Sequence, residues 1–267
     1  MHFKITIDEA DMSAPQEHSF CAAQVVIYSA RAPGKTTVNE DSAALFATDE
    51  RHGVLVVADG AGGQRSGAQA SQIAIDALAA SLRTAPVSEH GLRGAILTGI
   101  ETANQQILAL GTGAASTVVA VEMNDGCVRS FHVGDSLALL VGQRGRLRMQ
   151  TVSHSPVGYA VEAGLIDENE AMRHEERHVV SNMLGMQDMR IELGTEVRMA
   201  AKDTMLLASD GLFDNLHVEE IIDIIRCGPL ADAARQLAEA AGSRMLGSDS
   251  ELPGKPDDMT FVLMRYR

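Results

Sequence analysis

The chain has 267 residues, which is enough for one large domain or two small ones. Apolar residues make up 45% of the chain and charged residues 22%, a balance that is too apolar for a disordered protein. The 22 basic and 36 acidic side chains give a net charge of −14, and only 3% of the residues are aromatic. Because nucleic-acid binding needs basic surfaces or exposed rings, these figures exclude a general nucleic-acid-binding protein.

Short runs rich in Val, Ile and Leu, bounded by Gly, Asn or Asp, predict β-strands along the chain. In chain order they cover 24–29, 42–47, 53–58, 116–122, 127–133, 137–141, 204–208 and 260–266. The sequence Asn124-Asp125-Gly126 predicts a hairpin, since these residues tolerate positive φ. A second tight connection is expected at Asp135–Ser136, and such short links predict antiparallel pairing.

Apolar residues at helical spacing predict helices over 66–82, 88–110, 217–226 and 229–244. Strands and helices fall in separate blocks, which indicates an α+β fold with antiparallel sheet covered by helices. Without a long linker or an internal repeat, we expect a single domain over residues 1–267. Residues 1–20 are predicted to be either an edge strand or a mobile arm.

Acidic residues stand repeatedly where a predicted strand begins or ends. The blocks are Asn39-Glu40-Asp41, Asp59-Gly60-Ala61-Gly62-Gly63, Gly134-Asp135-Ser136, Ser209-Asp210-Gly211 and Asp257-Asp258. Alone, an Asp-Gly pair after a strand is well explained as a turn. Together, converging carboxylates repel each other, and a divalent ion such as Mg²⁺ or Mn²⁺ removes that repulsion because it takes oxygen ligands.

In this order the blocks resemble the signature blocks of the metal-dependent Ser/Thr protein phosphatases (type 2C, the PPM family), in its bacterial form. The resemblance extends over about residues 29–267, with supporting blocks at 67–71, 115–119 and 179–185. It implies a four-layer α-β-β-α sandwich, in which two antiparallel sheets are flanked by helix pairs. It also implies hydrolysis of phosphoserine and phosphothreonine in proteins by a metal-activated water.

The resemblance assigns a set of oxygen ligands to Mn²⁺ or Mg²⁺: Asp41, Asp59, Gly60, Asp210, Asp257, Asp135 and Asp214. Asp59 is expected to bridge two ions, and the Gly60 carbonyl to bind one of them. Asp135 and Asp214 are expected to hold a third ion. Asp59, Asp41 and Asp210 are the predicted catalytic residues.

Two positions depart from the family pattern. The Arg that relatives commonly carry four residues before Glu40 is replaced by Thr36, so we hypothesise that Lys35 or Arg31 binds the substrate phosphate. A solvated loop charge explains Lys35 equally well. Ala61 stands where many relatives have His, so the leaving oxygen is expected to take its proton from water or another side chain.

Two alternative functions stay open. The run from His174 to His178 matches the His-Glu-x-x-His signature of zinc peptidases, but its charge-dense flanks do not suit a buried zinc helix. The missing Arg also leaves open a catalytically retired relative that only binds phosphoproteins. The surrounding segment 153–188 is expected to be exposed, either selecting substrates or forming a solvated helix and loop.

The sequence contains no apolar run long enough to span a bilayer, and its first residues do not resemble a secretory leader. Cys21, Cys127 and Cys227 are widely separated and are expected to be buried thiols in a reducing compartment. We therefore expect a cytoplasmic monomer that acts on phosphoproteins and opposes a Ser/Thr kinase. No nucleic-acid or membrane partner is expected.

Overall fold

The computed structural model describes residues 3–62, 65–85, 91–247 and 254–266. Its strands are β1 (Phe3–Asp8), β2 (Gln16–Phe20), β3 (Ala23–Ala30), β4 (Asp41–Ala47), β5 (His52–Ala61), β6 (Ala115–Ser116), β7 (Val118–Asn124), β8 (Cys127–Val133), β9 (Leu137–Val141), β10 (Leu147–Gln150), β11 (Glu192–Leu193), β12 (Val197–Arg198), β13 (Thr204–Ala208) and β14 (Met259–Tyr266). Its helices are α1 (Arg65–Arg83), α2 (Gly91–Leu110), α3 (Pro156–Glu162), α4 (Glu168–Arg173), α5 (Asp210–Phe213), α6 (Val218–Ile225) and α7 (Leu230–Met245). The predicted start of the second helix, at residue 88, lies outside the described residues.

The strands form two sheets, and the paired strands run antiparallel. The first sheet has the order β1-β4-β5-β7-β8-β11, with β6 beside β5 and β12 beside β8. The second has the order β10-β9-β13-β14-β3-β2. Each predicted strand appears within a few residues of its expected bounds, so the prediction of an antiparallel α+β fold is confirmed.

Alternating side chains divide the core into three apolar layers between four layers of backbone. In β4, Ala44 and Phe46 pack against α1 and α2, whereas Ala43 and Leu45 pack against the second sheet. On the far side, Phe261 of β14 belongs to the cluster that buries the apolar faces of α6 and α7. This period of two places helices outside both sheets, which gives the predicted four-layer sandwich.

Residues 3–20 supply edge strands to both sheets. β1 pairs with β4, placing Ile5 opposite Leu45, and β2 pairs with β3, placing His18 opposite Val25. Of the two alternatives for the first 20 residues, the edge strand applies to these two segments. Within the described ranges, no helix is long and apolar enough to cross a membrane.

The two predicted tight connections have different outcomes. Asp125 and Gly126 both have positive φ, of 47° and 79°, and they close the predicted hairpin between β7 and β8. Gly134-Asp135-Ser136 does not close a hairpin, because β8 and β9 belong to different sheets. The expectation of antiparallel pairing there was wrong. Gly134, with φ of 108°, turns the chain from the first sheet into the second and brings Asp135 to the junction between them.

The cysteine prediction holds in part. Cys21, Cys127 and Cys227 are free thiols, as expected, but only Cys21 is buried. Cys127 is partly buried in β8, and Cys227 is exposed after α6. Cys127 follows the Asn124-Asp125-Gly126 turn at the first position of β8, and Cys227 follows Arg226 after the end of α6, so both stand beside chain segments that face solvent.

Candidate metal centre

Asp41 and Asp59 are direct cross-strand partners at the same end of the first sheet. Asp41 is the first residue of β4, and the antiparallel register places it opposite Asp59 near the end of β5. Only 1% of Asp41 is exposed. Its Oδ2 accepts a hydrogen bond of 2.8 Å from the Ser209 hydroxyl, whereas its Oδ1 is buried without a hydrogen-bond partner among the described residues. A buried, unpaired carboxylate oxygen is the kind of atom that a cation or its water satisfies.

Asp210 comes to this pair from the second sheet. It follows β13 as the first residue of α5, and it lies close enough for its charge to raise the pKa of both Asp41 and Asp59. Gly211 allows this approach, because a Cβ there would lie 2.0 Å from the backbone oxygen of Asp258. The close contact packs α5 onto the start of β14 and brings Asp210 near Asp257.

Gly60 occupies the strand position next to Asp59. Its N–H donates to the Glu40 carbonyl over 3.2 Å, and it pairs with Ser116 of β6. A Cβ at Gly60 would lie 2.1 Å from the Gly67 carbonyl at the start of α1. The absence of a side chain therefore lets α1 pack directly on the strand end that carries Asp59.

A further group of acidic residues lies beside Asp210. Asp214 ends α5, Asp257 precedes β14, and Asp135 lies in the turn that crosses between the sheets. The ammonium of Lys255 lies 2.6 Å from Asp210 Oδ2, 2.8 Å from Asp214 Oδ2 and 3.1 Å from Asp257 Oδ2. The structure thus gathers all six aspartates that the sequence assigned to metal.

Burial is the main cause of the altered acidity of this cluster. Burial raises the pKa of Asp41 and Asp59 well above the usual value, and the charges of neighbouring aspartates raise it further. Burial, with Asp210 and Asp214, raises the pKa of Asp135 to about 8. The pKa values of Asp210 and Asp257 are also raised, chiefly by burial. Acids that resist ionisation together fit a divalent cation, which stabilises their charged forms.

Lys35 and Arg31, the two candidates for phosphate binding, are both held in ion pairs. The Lys35 ammonium contacts Asp258 and lies 2.9 Å from Glu40 Oε2. The Arg31 guanidinium lies 2.6 Å from the Asp11 carboxylate, so its ion pair is with a residue outside the aspartate cluster. Neither cation extends freely into the carboxylate cluster. A role of either in binding phosphate stays a prediction.

Sequence reasoning did not single out three residues that the structure places in this centre. Lys255 supplies a positive charge to Asp210, Asp214 and Asp257, and Ser209 orients Asp41. Asp258 fixes the loop before β4, since its carboxylate accepts from the backbone N–H groups of Ala32 and Glu40. The only sequence signal was their position beside the predicted ligands, which does not reveal contacts to segments between 41 and 226 residues away.

A second cluster of possible ligand atoms lies next to the crossing turn. The rings of His132 and His154 are stacked with their centroids 4.4 Å apart, and one ligand atom from each lies within 4.8 Å of the Glu192 carboxylate. Burial lowers the pKa of His132, whose Nε2 is 2.8 Å from the Val152 carbonyl. That nitrogen must donate, and the lone pair on Nδ1 finds no hydrogen-bond partner in the part of the chain that the structure describes.

The hydrogen bonds of His154 do not suit a metal at this cluster. Asn182 is oriented by Arg190, to whose backbone it both donates and accepts. Its amide N–H therefore points at His154 Nδ1, which also accepts from the N–H of Gly134. Two donors at Nδ1 place the ring proton on Nε2, where it faces Glu192 at 3.2 Å. A metal needs a lone pair on that nitrogen, so this donor set does not fit one.

The His-Glu-x-x-His match does not lie on a helix. α4 ends at Arg173, His174 caps it in an extended conformation, and residues 175–178 form turns. Two His residues bind zinc in that signature because one helical turn aligns them, and this alignment is missing here. The structure therefore agrees with a chance match.

Buried aspartates at the junction of two helix-flanked sheets define the class, a metal-dependent hydrolase. The chain belongs to the protein phosphatase 2C family, whose sequence model matches residues 31–246. It is 30% identical over 235 residues to the Ser/Thr phosphatase stp of Listeria welshimeri, spanning 85% of this chain and 89% of that protein.

Solved structures give the same assignment. The fold is similar to that of the Mycobacterium tuberculosis Ser/Thr phosphatase PstP/Ppp, with a TM-score of 0.73, 28% identity and coverage of 91% of this chain and 98% of the other. It is also similar to the catalytic domain of PstP in complex with two manganese ions, with a TM-score of 0.70, 28% identity and coverage of 91% and 97%. The chain is accordingly a Ser/Thr protein phosphatase, and the alternative of a retired binding protein is not favoured.

Proposed function

We propose that this chain hydrolyses phosphoserine and phosphothreonine esters at the cluster formed by Asp41, Asp59 and Asp210, with Mn²⁺ or Mg²⁺ as cofactor. One observation carries the proposal. Three buried carboxyl groups from two different sheets converge, and one oxygen of Asp41 has no partner among the described residues. Such an arrangement is costly unless a cation neutralises it.

In this proposal Asp59 would be shared by two ions, with Asp41 and the Gly60 carbonyl holding the first and Asp210 and Asp257 the second. Asp135 and Asp214 would hold a third ion. When bound, such ions supply Lewis-acid chemistry, because they neutralise the phosphate and lower the pKa of water.

The surrounding residues keep this arrangement rigid. Ser209 receives the N–H of Thr260 on its hydroxyl oxygen and donates to Asp41, which orients the carboxylate. Asp59 is anchored by its own backbone, whose N–H donates to Thr117 and whose carbonyl accepts from Thr117. Ala61 offers no ionisable group, so the leaving oxygen takes its proton from water or another side chain.

Lys35 is the better of the two candidates for the substrate phosphate. Its bond to Glu40 places it one residue from Asp41, whereas the contacts of Arg31 tie it to Asp11. We propose that Lys35 contributes positive charge beside the phosphate while its carboxylate partners hold it in place. An anchored cation costs less ordering entropy on binding than a free one.

We further propose a monomeric enzyme of the cytoplasm that opposes a Ser/Thr kinase. An exposed free thiol at Cys227 supports a reducing compartment. Phosphoprotein substrates imply a kinase that makes them. Sedimentation velocity in reducing buffer tests the monomer, and a dimer would contradict it.

The activity is tested with phosphoserine and phosphothreonine peptides on protein first treated with EDTA. We expect phosphate release only after Mn²⁺ or Mg²⁺ is restored, and none in buffer without added metal. A zinc-dependent cleavage of the peptide backbone, or metal-independent phosphate release, would contradict the proposal. Titrating each ion separately identifies the preferred one.

A further inference from the structure

Lys255 places one ammonium group against three carboxylates. Its Nζ lies 2.6 Å from Asp210 Oδ2, 2.8 Å from Asp214 Oδ2 and 3.1 Å from Asp257 Oδ2. The side chain is only 22% exposed. The ammonium therefore takes up oxygen atoms of the same three residues that the proposed function assigns to divalent ions.

The backbone of Lys255 is fixed by Asn215, which is fully buried. Its N–H donates to Asn215 Oδ1 over 2.9 Å, and its carbonyl accepts from Asn215 Nδ2 over 3.0 Å. Asn215 also donates to the Gly211 carbonyl within the segment that carries Asp210 and Asp214. The base of the lysine side chain is thus attached to the element that bears two of its partners.

Charge explains why the ammonium lies there. The ammonium lies within 3.1 Å of one oxygen from each of Asp210, Asp214 and Asp257. It supplies one positive charge to a group of acids that would otherwise repel. Without metal, this group depends on Lys255 for neutralisation.

We propose that the Lys255 ammonium competes with the divalent ions that Asp210, Asp214 and Asp257 would hold. It occupies their oxygens in the metal-free protein and leaves them when an ion binds. The inference rests on the proposed function, since it needs these aspartates to be ligands. An ammonium and a divalent cation on the same oxygens repel strongly in a partly buried site, so the two states exclude each other.

Two consequences follow from this competition. The metal-free fold is more stable than its carboxylates alone would allow. A divalent ion at Asp210, Asp214 or Asp257 binds more weakly than it would without Lys255, because its binding includes the work of displacing the ammonium. The lysine side chain is flexible, so the ammonium can move away while the Lys255 backbone stays hydrogen-bonded to Asn215.

Calorimetric titration of EDTA-treated protein with MnCl₂ tests the proposal. Lys255→Met removes the charge at similar length, Lys255→Arg keeps the charge, and Lys4→Met is the matched control on an exposed strand-edge lysine. We expect Lys255→Met to bind Mn²⁺ at its weakest site about tenfold more tightly and to lower the melting temperature of the metal-free protein. Lys255→Arg and Lys4→Met should show no tighter binding.

Equal or weaker Mn²⁺ binding by Lys255→Met overturns the inference, whereas a wild-type protein that binds no Mn²⁺ overturns the proposed function as well. A second measurement needs no variant. Acetylation of wild-type lysines, followed by mass spectrometry, should become several-fold faster at Lys255 after Mn²⁺ is added and stay unchanged at Lys4. An unchanged rate at Lys255 in the Mn²⁺-bound protein also overturns the inference.

Discussion

The hydroxyl of Ser209 donates to Asp41 Oδ2 over 2.8 Å and so connects the two sheets at the candidate metal centre. Ser209 directly follows β13 of the second sheet, whereas Asp41 begins β4 of the first. The same hydroxyl accepts the N–H of Thr260, and the Asp41 carboxylate is a nearer acceptor for its proton than the Thr260 carbonyl at 3.4 Å. The bond leaves Asp41 Oδ1 for another partner.

Replacing Ser209 with Ala should weaken metal binding and catalysis because Asp41 loses the group that orients it. We expect a loss of about tenfold in Mn²⁺ affinity, the equivalent of about 1.4 kcal/mol, which is near the upper end of the net contribution of a typical hydrogen bond. The Mn²⁺ dependence of phosphopeptide hydrolysis measures it. Ser81→Ala is the control, since that hydroxyl donates to Ala95 between α1 and α2; equal effects of the two substitutions would contradict the prediction.

Replacing Asp59 with Asn should abolish activity and yet stabilise the metal-free protein. The substitution removes the proposed bridging ligand, for which we expect a loss of at least about 10²–10³-fold in kcat. It also removes a buried acid whose ionisation is opposed by burial and by the neighbouring aspartates. Melting temperatures in EDTA should rise for Asp59→Asn and stay unchanged for Asp76→Asn, which lies on an exposed helix face. A lower melting temperature together with retained activity would be inconsistent with a metal ligand.

Metal-free protein should lose stability as the pH rises from about 7 to 8.5. Asp135 has a pKa raised to about 8 in the folded protein, so the fold holds a proton there that the unfolded chain has already released. The stabilisation that the protonated Asp135 gives to the folded protein is complete at low pH and is lost as the pH rises through about 8. His132, whose pKa is lowered by burial, acts in the opposite direction, but only below its ordinary pKa.

Thermal melts at several pH values, with EDTA and with saturating Mn²⁺, measure this effect. Bound ions take the place of the protons, so the stabilisation by Mn²⁺ should grow with pH. Asp135→Asn should flatten the pH dependence of the metal-free protein. A melting temperature in EDTA that rises between pH 7 and 8.5 would show that the carboxylates are not protonated.

His154 should position the turn that carries Asp135. It holds Gly134 at two points, since its backbone N–H donates to the Gly134 carbonyl and its Nδ1 accepts the Gly134 N–H. His154→Ala leaves that N–H and the Asn182 amide without an acceptor, which costs about 1–3 kcal/mol for each buried group.

His154→Asn separates this role from simple packing, because the Asn oxygen lies where Nδ1 was and accepts the same donors. We expect chemical denaturation to show a large loss of stability for His154→Ala and substantial recovery for His154→Asn, with Mn²⁺ affinity following the same order. If both variants lose stability equally, the acceptor at Nδ1 is unimportant.

Lys35→Met should raise the KM for phosphopeptides if its ammonium contributes to phosphate binding. We expect about a tenfold loss in kcat/KM, mostly through KM, since the charge is present before substrate arrives. Lys35→Arg should retain much of the effect. Unchanged kcat/KM in Lys35→Met would assign the residue to loop anchoring through Asp258 alone.

Much of the architecture was predictable because it depends on local patterns. Apolar residues at a period of two marked the buried strands, and helical spacing marked α1, α2, α6 and α7. The missed elements are short: β10 has four residues and an exposed face, and α5 has four residues. Such lengths carry too little periodicity to distinguish them from turns.

The acidic blocks and their order can be recognised from the amino-acid sequence, because each lies beside a strand whose pattern is local. How the blocks meet depends on the folded arrangement of the two sheets. The crossing of Gly134–Ser136 between sheets, the pairing of Asp41 with Asp59 and the position of Lys255 among three aspartates all depend on contacts between distant segments. Local propensity contains no information on those contacts, since packing of the two sheets, and not the neighbouring residues, brings the charges together.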